Sequence, residues 1–135
     1  MVMGKNKGNT FERKIYKQLR SFFEGTTTSV KRTLGSGSTD EACDINVENE
    51  KRKFVIECKH YNSLSETLKV AFCHKLEDDA LTKNKTSKKT IVPVLIYKTN
   101  FQPIKCRVKV LYMGRATWVE MNYNDWLECL STANL

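Results

Sequence analysis

The chain has 135 residues, 40% of them hydrophobic and 28% charged, with a formal net charge of +8 at pH 7. That length suits one domain with one core, residues 1–135, and the composition fits a soluble globular chain rather than a disordered one. No apolar run is long enough to span a bilayer, and a positive excess of this size favours polyanionic partners such as nucleic acid.

Taken in chain order, the polar stretch 1–9 reads as a loose arm, with no apolar segment behind it to make a secretory signal. Thr10 is placed to cap a helix running to about Glu24, because Phe11, Ile15, Leu19 and Phe22 recur at helical spacing. Glu12 shares the row of Tyr16, Leu19 and Phe23, so it should lie toward the rest of the fold. Residues 28–34 read as an extended segment, and Gly35-Ser36-Gly37-Ser38 as a polar loop. Residues 1–32 carry eight basic and two acidic side chains, so they hold +6 of the net charge.

Two apolar strands follow, Cys43-Asp44-Ile45-Asn46-Val47 and Phe54-Val-Ile-Glu-Cys-Lys-His60, joined by a charged turn over 48–53. Alternate residues of a strand share a face, which sets Glu57 and Lys59 side by side at about 6.6 Å. Folding the pair as a hairpin brings Asp44 beside Glu57. Ser63 and Glu66 form a possible capping box for a helix reaching Leu81, whose apolar stripe is Leu64, Leu68, Phe72 and Leu76 with Ala71 and Ala80 beside it.

A basic loop carrying Lys83, Lys85, Lys88 and Lys89 precedes an almost wholly apolar strand over 91–98, in which Pro93 argues for an early or irregular position. Residues 105–113 and 116–121 read as a hairpin turning at Gly114. A last helix over 124–130 offers Trp126, Leu127 and Leu130 to the core. The fold class is α/β: a mixed sheet flanked by helices, in the order αβββαβ with further strands and a helix at the C-terminus. Five cysteines (Cys43, Cys58, Cys73, Cys106, Cys129) are an odd number without Cys-x-x-Cys spacing, and read as reduced residues of a cytosolic protein. Zinc held by Cys73 and His74 is disfavoured, since neighbours on a helix point apart.

Two carboxylates and a lysine converging on one point suit metal-dependent phosphodiester hydrolysis. A hard divalent cation prefers carboxylate, carbonyl and water oxygens. Asp44 and Glu57 supply the carboxylates, the Cys58 carbonyl a third oxygen, and Glu12 a further carboxylate. Lys59 can orient water or offset charge on the phosphate. Other readings stay open: an ion pair on a solvated face for Glu57 and Lys59, a turn-former for Asp44, a response to the helix dipole for Glu12. His60 reads as a DNA contact or a bystander. Ser36 and Ser38 read first as turn-formers, although their hydroxyls and the amides around the glycines can hold a phosphate.

These residues resemble the PD-(D/E)xK nuclease superfamily, and within it the archaeal-type Holliday junction resolvases with their phage and viral relatives. The likeness rests on Lys7-Gly8 with Glu12-Arg13, Lys31-Arg32 before Gly35-Ser36-Gly37, then Asp44 and Glu57-Cys58-Lys59. It covers residues 4–60; beyond them only the element order agrees. Cys43 stands where the superfamily name expects proline, a position that shapes the turn and binds nothing.

The resemblance implies a Mg²⁺- or Mn²⁺-dependent endonuclease, a homodimer that nicks four-way DNA junctions in the cytoplasm, at the nucleoid or in a host cell. It implies metal binding by Asp44 and Glu57, catalytic help from Lys59, and a site completed by Glu12. It further implies Ser36 near the scissile phosphate and DNA backbone contacts from Arg13, Lys31 and Arg32. A restriction-, repair- or end-processing nuclease of the same superfamily is the alternative, and a non-catalytic nucleic-acid-binding module is the alternative of another class.

Overall fold

The computed structural model describes residues 3–32 and 44–132. Its elements are α1 (Met3–Phe22), β1 (Ser29–Arg32), β2 (Ile45–Glu48), β3 (Arg52–Tyr61), α2 (Glu66–Lys83), β4 (Thr90–Thr99), β5 (Lys105–Tyr112), β6 (Arg115–Asn122) and α3 (Tyr123–Thr132). This is the expected order. The described strands form a six-stranded sheet in sequence order, antiparallel except for the central pair β3 and β4, which run parallel. A parallel pair needs a crossover, and α2 provides it.

The sheet separates two apolar layers. On one face Phe11, Ile15, Leu19 and Phe23 pack with Ile45, Val47, Phe54, Ile56 and Val94, and α3 adds Tyr123, Trp126 and Leu130. Trp126 meets Phe54 edge to face, with ring centroids 5.9 Å apart. On the other face Cys73, Leu76 and Ala80 of α2 pack on Val55, Leu95 and Tyr97. Both faces of β3 and β4 are therefore buried, which is why those strands read as continuous apolar runs.

Several boundaries differ from the sequence reading. Helix α1 starts at Met3, so Thr10 is inside it and residues 3–9 of the expected arm are helical. Extending a helix from turns already anchored by packing is easy compared with starting one, so polar residues ahead of Phe11 join it. The cap of α2 is Ser65, whose hydroxyl accepts a hydrogen bond from the Leu68 N–H at 3.2 Å. Glu66 closes no box with Ser63; its carboxylate instead takes both arms of Arg107, at 2.8 and 2.6 Å.

The buried stripe of α2 also differs from the expected one. Leu68 is exposed and Cys73 is buried, because the helix seats on the β4 face through Cys73, Leu76 and Ala80. Pro93 lies within β4 opposite Val55 and is buried there. Burial pushes the Cys73 thiol up to about 11 and the Cys106 thiol up to about 12, so both are inert core groups. Among the described residues no helix is long and apolar enough to cross a membrane.

Candidate active site

The β2–β3 hairpin sets the geometry. Its register runs Ile45 opposite Ile56 and Val47 opposite Phe54, and Asn49 closes the turn by accepting the Lys51 and Arg52 N–H groups, both at 2.8 Å. Strand β2 begins at Ile45, and Asp44 stands one step before it. The Asp44 N–H still donates to the Ile56 carbonyl at 3.0 Å, so the register carries Asp44 to the level of Glu57. Its carboxylate accepts the Cys58 main-chain N–H at 2.9 Å. The N–H and carbonyl of a strand residue project from the same edge, so the Cys58 carbonyl faces this corner too.

Cys58 and Ile56 point their side chains into the α1 layer, which sends Glu57 and Lys59 to the α2 face. The Lys59 ammonium lies 3.3 Å from a Glu57 oxygen. It also sits over the Phe72 ring, 4.7 Å from the centroid. Phe72 in turn stacks on Tyr61, with centroids 6.0 Å apart. An aromatic wall of this kind orients the amine while shielding one side of it from water.

The electrostatics are those of crowded carboxylates. Burial, then the charge of Glu57, raises Asp44 from 3.8 to about 7; the Cys58 N–H and Lys59 oppose that shift, and Glu12 adds to it. Burial also raises Glu57, against the attraction of Lys59 and Lys75. Two half-buried acids whose negative charges disfavour each other form a corner that a cation would relieve.

Among the described residues, no three His, Cys, Asp or Glu side chains gather closely enough to cage a metal alone. The oxygen set still fits Mg²⁺ in kind, because that ion keeps several waters and takes only one or two carboxylates from protein.

The remaining expected residues divide. Glu12 is buried at 9% exposure and bonds Arg32 across 3.0 Å. It contributes charge to the corner, while its carboxylate pairs with that guanidinium. Arg32 therefore turns inward, and its buried Nε has no hydrogen-bond partner among the described residues. Arg13 and Lys31 are exposed, as a backbone contact requires. The His60 ring lies against Phe11, with centroids 5.4 Å apart, on the face opposite Lys59. Ser36 and Ser38 lie outside the described residues, as does Cys43.

Sequence reasoning missed the role of Phe72, read only as part of an apolar stripe, and the Glu12–Arg32 pairing. A basic residue on a strand beside a helix with one inward acid was the available signal for the latter.

The family model described as "phage putative PDDEXK endonuclease" matches residues 3–125 of the chain. In structure the chain is similar to Hjc of Archaeoglobus fulgidus, a Holliday junction resolvase from an archaeal hyperthermophile. That likeness has a TM-score of 0.47 at 16% identity, covering 85% of this chain and 86% of that one. No curated protein matches the chain in sequence.

Proposed function

The chain belongs to the phage PDDEXK endonuclease family, and from that premise we propose that it is a metal-dependent, structure-selective DNA endonuclease, most concretely a resolvase nicking four-way junctions. The observation that carries the reading is the corner where the Asp44 carboxylate reaches the Cys58 N–H beside the Glu57–Lys59 pair. Asp44, Glu57 and the Cys58 carbonyl would hold Mg²⁺, with Mn²⁺ as a substitute. Such an ion supplies Lewis-acid polarisation of the phosphodiester and lowers the pKa of water.

The chain's own groups do the rest. The Cys58 N–H fixes the orientation of Asp44, and Lys59 offers a positive charge to the phosphate oxygen where negative charge builds. Phe72 and Tyr61 keep that ammonium in place. Glu12 adds a third carboxylate once its Arg32 partner turns to the DNA. Exposed Arg13 and Lys31 contact the backbone, joined in this reading by Arg32, Ser36 and Ser38.

In this reading shape and backbone, rather than base edges, carry recognition of the junction. A homodimer would match the two-fold symmetry of a junction, and the cytoplasm, cellular or host, would be its compartment. The test is incubation with end-labelled four-way, flap and linear DNA, with and without Mg²⁺. Symmetric nicks in the junction, dependent on Mg²⁺, are expected. Cuts confined to linear DNA would favour the restriction or repair reading, and binding without cuts a non-catalytic module.

A further inference from the structure

Phe101 is 99% exposed and has a left-handed backbone, with φ of 63°. Bulky residues avoid that region because Cβ crowds the neighbouring carbonyl. Phe101 is the third residue of a turn closed by the Gln102 N–H on the Thr99 carbonyl at 3.2 Å, the place where glycine or asparagine belongs. Both properties count against the fold: the ring buries nothing and the backbone is strained.

The turn is nevertheless firmly built. The Asn100 N–H donates to the Asn62 carbonyl at 3.2 Å, and its side-chain amide to the Asn62 side-chain oxygen at 3.0 Å. The Lys98 ammonium donates to the Gln102 carbonyl at 2.8 Å. Strain inside a braced loop holds the ring outward.

Its position adds the chemistry. Lys59 pairs with Tyr97 and Tyr61 with Thr99 across the parallel strands, so the turn caps the same end of the sheet as Glu57 and Lys59. Asn62, which anchors it, is three residues past Lys59, about 10 Å along a strand. Met113 offers a contrast. It too has positive φ, 49°, and is 86% exposed, but it lies in the two-residue β5–β6 turn at the other end of the sheet. There the two-residue hairpin itself demands left-handed residues. In the five-residue connection 100–104 the strand pairing imposes no such hairpin, and the left-handed position of the Thr99–Gln102 turn suits glycine or asparagine rather than phenylalanine.

We propose that Phe101 is a base-stacking residue, whose ring enters an unstacked step of branched DNA beside the phosphodiester to be cut at the Asp44–Glu57–Lys59 corner. This rests on the DNA endonuclease reading. Every base has a π-face, so a fixed, solvated aromatic ring selects for unstacked bases without reading sequence. Lys98, next to the turn, supplies positive charge for the flanking backbone.

The experiment measures binding of the full chain in EDTA to a four-way junction and a linear duplex, each with 2-aminopurine beside the expected cut. The parent should brighten the junction probe as the base unstacks. Phe101→Gly should bind the junction on the order of tenfold more weakly, leave the probe dim, and bind linear duplex as the parent does. It should melt no lower than the parent, since strain is relieved, and Phe101→Trp should restore the signal. Met113→Gly should change neither affinity.

Unchanged junction affinity in Phe101→Gly, or equal loss on junction and duplex, overturns the assignment. So does a fall in sedimentation mass on the same substitution, which would mean that a second copy covers the ring. A parent that binds no DNA removes the nuclease reading itself, whereas a parent matched by Phe101→Gly in binding and cutting removes only the role of Phe101.

Discussion

The Asp44 carboxylate accepts the main-chain N–H of Cys58 at 2.9 Å, so an acid at the mouth of one strand is oriented by the backbone of the next. Asp44→Asn keeps an oxygen for that N–H and removes the charge. Nicking should fall roughly a thousandfold, the several kcal/mol that a bound ion's charge stabilisation represents. Junction affinity in EDTA should hold or rise, because a carboxylate that repels phosphate is gone. Single-turnover cleavage beside equilibrium binding checks both, and a variant that still cuts at the parent rate would clear Asp44 of any catalytic part.

Stability should depend on pH through the same group. The folded chain keeps the Asp44 proton to about pH 7, whereas the unfolded chain releases it near 3.8. Between those values the folded state binds more protons, so its advantage is complete below the lower value and lost as pH rises through the upper one. Urea midpoints without metal should decline across this window in the parent. Asp44→Asn should flatten the decline, and added Mg²⁺ should lift the parent at the alkaline end.

Lys59→Met keeps an unbranched chain over Phe72 while deleting the ammonium. Glu57, already raised by burial, loses the first of the influences that lower it and should rise further. Nicking should drop roughly a hundredfold or more, as when one charge-stabilising donor is removed, with junction affinity little altered. A matching drop in both would mean that Lys59 only binds.

Leu19 is fully buried between α1 and the sheet. Leu19→Ala should destabilise the fold by roughly 2–5 kcal/mol through lost burial and the cavity left behind. Urea denaturation measures this directly, and a loss under 1 kcal/mol would mean that α1 packs loosely.

Arg13 and Lys31 are exposed on α1 and β1. If each neutralises a phosphate, Arg13→Gln with Lys31→Gln should reduce the slope of log affinity against log salt by about two. An unaltered slope would move the DNA elsewhere on the surface.

Much of this was legible in the residues. The apolar runs of β3 and β4 and the period of α1 announced themselves, since those elements meet the core along their length. The Asp44–Glu57 neighbourhood followed from a short turn, because a hairpin fixes register locally. What stayed hidden was set by distant partners. Ser65 rather than Ser63 caps α2 because Glu66 is drawn to Arg107 on β5. Arg32 turns inward because Glu12 waits twenty residues upstream. Phe72 reads as a core residue until Lys59 is found above it. Phe101 carries no periodic signal at all, since its distinction is a dihedral angle.

The parallel pairing of β3 with β4 divides the chain's assembly unevenly. Asp44, Glu57 and Lys59 come from one hairpin, whose partners are near neighbours in sequence, while β4 can join only after the whole of α2 has been laid down between them. Closing that longer loop carries the larger entropic penalty and should govern how fast the protein matures. Substitutions that weaken α2, such as Leu76→Ala, should therefore slow refolding while sparing the local arrangement of the acids.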